Sequence, residues 1–188
     1  MVALPSFVVG AVTIGMVLIG VVPLTPFGPV AGAAMPIVLA AALGMFIATI
    51  WAARIGESAP AGISAIVGSF LLSYALLVLG LTHNWFGIPL TAVADTQKIF
   101  LISWIAIVSM LVLATLRLPM VYTLLFAIVD VALILNLLGV IQSSANMTKA
   151  AGWVLMAVAA IVVYLFFGSA NHATGGKEFP LGPPTLHA

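Results

Sequence analysis

The sequence predicts an all-α integral membrane protein, a bundle of six transmembrane helices, and three observations carry that prediction. Hydrophobic residues make up 64% of the chain and charged residues only 5%, where a soluble domain carries roughly 25% charged. So few charges cannot coat a surface that faces water. Six apolar stretches reach or approach the roughly 20 residues that a helix needs to cross the hydrocarbon core. None shows the ten-residue alternation of a membrane barrel. Backbone groups in lipid must pair within their own segment, which makes each stretch a helix.

The first stretch runs from Pro5 to Leu24. It lacks the basic leader and small-residue cleavage box of a signal peptide, so it reads as a retained helix. Ala11 and Gly15 lie four apart on it, a spacing that lets helix backbones approach. Thr25-Pro26-Phe27-Gly28-Pro29 is a turn. The second stretch, Val30 to Ala53, holds Pro36, which predicts a kink. Arg54 to Pro60 separates it from the third, Ala61 to Thr82, where Ser64 and Gly68, then Ser69 and Ser73, repeat the small-residue spacing. His83 to Lys98 is the longest connection. The fourth stretch, Ile99 to Leu116, is the shortest, and Arg117-Leu118-Pro119 turns tightly into the fifth, Pro119 to Gln142. A polar segment, Ser143 to Lys149, leads to the sixth, Ala150 to Ala170. Residues 1–170 thus form one transmembrane domain, and residues 171–188, rich in Gly and Pro, form a mobile or extended tail.

Composition excludes several functions. A net charge of +1 gives no basic cluster for nucleic acid. There is no Cys, and the His residues, His83, His172 and His187, lie outside the six stretches, which leaves no axial ligand for haem and no thiolate metal site. No cofactor and no catalytic constellation are expected, so the chain is not read as an enzyme. With the N-terminus cytoplasmic, Arg54, Arg117 and Lys177 fall inside and Lys98 and Lys149 outside, which by the positive-inside rule favours both termini in the cytoplasm.

The stretches hold no Lys, Arg or His at depth. A bare carboxylate there would lose its hydration with little in return. The contents suit small solutes that are uncharged or easily protonated. Asp130 is the ionisable carboxyl within a span, almost midway along the fifth, and such residues are costly and usually functional. Thr123, Ala127, Ile134 and Leu137 share its helical face. That face is mostly apolar, so a strong partner should come from another helix. Asp130 is either a group that exchanges protons with a passing acid or a structural residue hydrogen-bonded to a neighbour.

At the level of motifs, Gly68-Ser69-Phe70 opens an apolar helix, and Thr115-Leu116-Arg117 closes the fourth stretch. Leu138-Gly139, a polar segment and Gly152-Trp153 follow in order, then Tyr164, and the tail reads EFPLGPP from Glu178 to Pro184. In order and spacing these resemble the acetate uptake transporter family, the bacterial succinate–acetate permeases and their yeast relatives. The resemblance covers nearly the whole chain and implies a six-helix fold, assembly as a homo-oligomer, a hexamer, and a separate pore in each protomer. The family's opening Asn-Pro-Ala-Pro-Leu-Gly-Leu is reduced here to the Pro of Ala3-Leu4-Pro5-Ser6. Family members narrow the pore with aromatic and Leu side chains; the matching positions here, Ala11, Val67 and Val129, are smaller.

The resemblance therefore implies a transporter or channel for small carboxylic acids, acetate and acids of the size of succinate, crossing as the neutral acid or with a proton. Its partners would be the lipid bilayer, the acid, protons and further copies of the chain, with no nucleic acid. The expected pathway residues are Ala11, Val67 and Val129 at the constriction, Thr13, Ser69 and Ser73 as hydroxyl contacts, and Asp130. A channel for neutral solutes such as urea or amides fits the uncharged spans equally well and the motif order less well. An accessory subunit of a membrane complex is the third reading.

Overall fold

A computed structural model describes residues 2–21, 29–177 and 179–186, with the side chains of residues 29–31 left aside. Within these, six α-helices follow one another: α1 (Ala3–Ile19), α2 (Pro29–Arg54), α3 (Ser58–Thr82), α4 (Val93–Ala114), α5 (Met120–Ile141) and α6 (Ala145–Ala173). Helices α2 to α6 are long and apolar enough to cross a bilayer. Helix α1 has 17 described residues, about 25 Å at the standard rise, and the expected turn at residues 25–28 lies outside the described residues. Trp51 and Trp85, 69% and 57% exposed, mark opposite ends of the bundle, where amphipathic rings favour the membrane interface. The chain is a multi-pass membrane protein.

Left-handed residues end most helices. Gly56 has φ 82°, and the Glu57 N–H reaches back to the Ala52 carbonyl at 2.9 Å, the wrap-around stop that favours glycine. Asn84 and Ser143 serve the same purpose after α3 and α5 at φ 53° and 50°. Helix α4 instead tightens into a 3-10 turn, Thr115–Arg117, before Pro119.

Helix ends differ from the apolar stretches: α1 stops at Ile19, capped by left-handed Gly20, where the stretch runs to Leu24. Helix α4 starts at Val93 rather than Ile99, and α6 at Ala145 rather than Ala150. Their first turns are polar yet helical. Asp95 sits in the first turn of α4, where a negative charge meets the positive end of the helix dipole, and it pairs with Lys98 at 2.9 Å.

Around the bundle the helices run α3, α2, α1, α6, α5, α4, each packed along its length on the next. Close approaches set three of these seams. A Cβ on Gly152 would lie 2.8 Å from the Gly15 carbonyl, so α1 and α6 cross backbone to backbone. Gly68 faces Met45 and Phe46 of α2. Ala11, Gly15, Ser64 and Gly68 are all buried; these small residues seat helices of the same chain. Between α3 and α4 the backbones hardly meet.

The tail also differs from expectation. Helix α6 takes in residues 171–173, and the described tail beyond is extended but bound. The Tyr164 hydroxyl donates to the Pro180 carbonyl at 2.9 Å, and the Asn171 amide to the Lys177 carbonyl at 2.7 Å. Phe179 packs on Tyr164, ring centres 5.3 Å apart. The Val121 N–H donates to the Leu181 carbonyl, and the Leu186 N–H to the Leu116 carbonyl, at 3.2 and 3.0 Å. These bonds satisfy backbone groups that helix ends leave open. The described part of the tail is a strap across the α4–α5 turn.

Candidate functional site

Two cavities follow each other along the axis of the bundle. The larger, about 680 Å³, is a vestibule among the ends of α1, α3, α4, α5 and α6. Its wall mixes apolar residues with Tyr74, Gln97, Asn136, Ser143, Thr148 and Lys149. Lys149 is the charged residue on that wall among the described residues, and α4 and α6 both begin there. Positive charge and helix N-termini together favour an arriving anion.

One to two helical turns further in lies a cavity of about 40 Å³ with no polar atom on its wall. That is room for no more than a few water molecules, each of which needs roughly 10–15 Å³ of such space. Five helices present residues to it: Phe7, Ala11 and Ile14 from α1, Val67 and Leu71 from α3, Val108 and Leu111 from α4, Phe126, Val129 and Leu133 from α5, and Leu155 from α6. This is the constriction. Helical spacing of three and four residues explains why these positions share one face.

An aromatic cluster joins the two cavities. Tyr74 and Phe100 line the vestibule, and Phe70 and Trp104 line the constriction. Phe70 meets Trp104 edge to face at 5.3 Å, and Tyr74 lies 6.1 Å from Phe100. These four rings fill the seam between α3 and α4, where the backbones stand apart, in geometries that aromatic pairs favour.

The structure thus brings Ala11, Val67 and Val129 together in one apolar wall. The other expected pathway residues line neither cavity. Ser69 is exposed on the outer face of α3, and Thr13 is half-buried. The Ser73 hydroxyl donates back to the Phe70 carbonyl at 3.0 Å. Asp130 faces α4, where Ser109 Oγ donates to its Oδ2 at 2.7 Å; the partner comes from another helix, as its apolar face requires. Among the described residues no group of three His, Asp or Glu gathers to hold a metal.

Sequence reasoning missed the aromatic cluster and the vestibule amides. Their signal was present: Phe70 and Tyr74, and Phe100 and Trp104, are each spaced by four, one ring above another on a helix.

Comparison with known proteins agrees with this architecture. Among solved structures, the chain is similar to the one described as the bacterial acetate channel SatP, with a TM-score of 0.78 at 20% identity, covering 96% of this chain and 97% of that one. At that identity the likeness speaks for the fold. No curated protein matches by sequence. The family model described as the GPR1/FUN34/yaaH family matches residues 1–182, nearly end to end and in keeping with the order of motifs, and the chain belongs to that family.

Proposed function

We propose that the protein carries small carboxylic acids, acetate foremost, across the membrane through the vestibule and constriction. The observation that supports this most is a positively biased vestibule of mixed polar and apolar wall opening onto a constriction whose wall has no polar surface. The first gathers carboxylates. The second excludes a bare charge, because desolvation there would go uncompensated. The acid crosses in neutral form or together with a proton, and succinate enters on the same terms if its larger cross-section passes. Family membership and the likeness to an acetate channel support the substrate class.

The test is uptake of labelled acetate, succinate, lactate and urea into proteoliposomes at two pH values. Acetate uptake that rises at the lower pH and exceeds urea uptake is the expected result. Urea ahead of acetate at both pH values would favour a neutral-solute channel, and no uptake at all an accessory role. Both termini face the cytoplasm on this reading. Each protomer holds its own pathway, and the protein assembles as a homo-oligomer, a hexamer by family resemblance. Native mass spectrometry in several mild detergents should show that assembly; monomer alone in all of them would count against it.

A further inference from the structure

Asp130 lies behind the constriction wall. Val129 before it lines the cavity, and on α4 the same relation holds between Ser109 and Val108. One step of about 100° round each helix brings Ser109 and Asp130 face to face at 2.7 Å. The second carboxyl oxygen, Oδ1, is buried with no partner among the described residues, so a single acceptor is what the contact uses.

Helix α4 depends on this region. It packs on α5 through a small cluster, Leu101, Val108 and Leu133, while towards α3 it rests on aromatic rings. Rings slide and tilt more readily than interlocked backbones. The distance of α4 from the axis is therefore set on its α5 side, where the Ser109–Asp130 bond crosses.

We propose that the Ser109–Asp130 hydrogen bond is a positioning clasp that holds α4 against α5 and so sets the largest acid that passes the constriction. This rests on the reading of the cavities as a transport pathway. Asp130 acts through Val108 and Val129 and does not touch the solute.

The test compares uptake of labelled acetate and butyrate by proteoliposomes, in variants shown by size exclusion to be folded. A hydrogen bond of ordinary net strength shifts a two-state equilibrium about three- to tenfold. Ser109→Ala and Asp130→Leu should raise the butyrate-to-acetate ratio by that factor, and the double variant by no more than either alone. Asp130→Asn keeps an acceptor and Ser109→Thr keeps the donor; both should hold the wild-type ratio. A second readout needs no transport. The chain has no Cys, so a cysteine introduced at Leu111, on the constriction wall, reports its access to a small thiol reagent. Its labelling should speed up in the Ser109→Ala background by a similar factor. A wild-type protein that carries no acid would sink the proposed function, while faster labelling would still uphold the clasp. Unchanged ratio and labelling rate in folded Ser109→Ala would overturn the clasp. So would an Asp130→Asn variant that shifts the ratio as far as Asp130→Leu, since the effect would then follow the ionisable group.

Discussion

At the scale of single residues, the constriction owes its character to side chains that cannot hydrogen-bond. Ala11, Val67 and Val129 are small, yet the cavity they share stays at about 40 Å³ because Phe7, Phe70, Trp104 and Phe126 close in around it. The small side chains at the three matched positions are thus offset by the bulk of neighbouring rings. Val67 is 7% exposed and faces that small space. Val67→Tyr should therefore lower uptake steeply, larger acids before acetate, because a steric filter acts on cross-section. Uptake of every acid at wild-type rates would show that Val67 does not face the pathway. The resemblance and its anchors picked out three positions, Ala11, Val67 and Val129, that the structure brings onto one cavity wall. Thr13, Ser69 and Ser73 were chosen for their hydroxyls, and hydroxyl chemistry does not reveal which way a helix turns. Ser73 uses its hydroxyl on its own helix, a common use of serine within a span.

At the scale of elements, apolar runs located the hydrocarbon-crossing part of each helix and missed the polar turns at their ends. Val93 to Lys98 and Ala145 to Lys149 are helical at the interface, where backbone pairing is favoured and side chains can still reach water. The tail was the least legible element. Gly and Pro content describes what a segment costs to order, not the surface that waits for it. Here that surface is the α4–α5 turn, whose open backbone groups the strap satisfies. Tyr164→Phe removes one hydroxyl donated to the strap and should cost about 1 kcal/mol. Phe179→Ala removes the ring held between Tyr164 and Gly168 and should cost about 1–2 kcal/mol. Thermal unfolding in detergent checks both. The expected result is a lower midpoint for each; a midpoint unchanged in both would mean that the strap contributes nothing to the stability of the bundle.

At the scale of the whole molecule, the proposed orientation rests on the distribution of charge. Arg54, at the end of α2, Arg117, in the α4–α5 turn, and Lys177, in the strap, lie at one end of the bundle, while Lys98 and Lys149 lie at the vestibule end. Three basic residues against two favour the first end for the cytoplasm; under the proposed orientation the vestibule faces outward. Helix α6 has 29 residues, about 43 Å at the standard rise, enough to carry the chain fully across. Ser144, on the vestibule wall, and Ala173, at the far end of α6, should therefore face opposite sides. With no native Cys to remove, single cysteines at these two positions can be labelled in intact cells with a membrane-impermeant reagent. Ser144→Cys should react at once and Ala173→Cys only after permeabilisation. The reverse order would turn the vestibule to the cytoplasm, so that its positive bias would gather acids for export. Reaction of both from one side would mean that α6 does not cross, and the six-span bundle would fall with it.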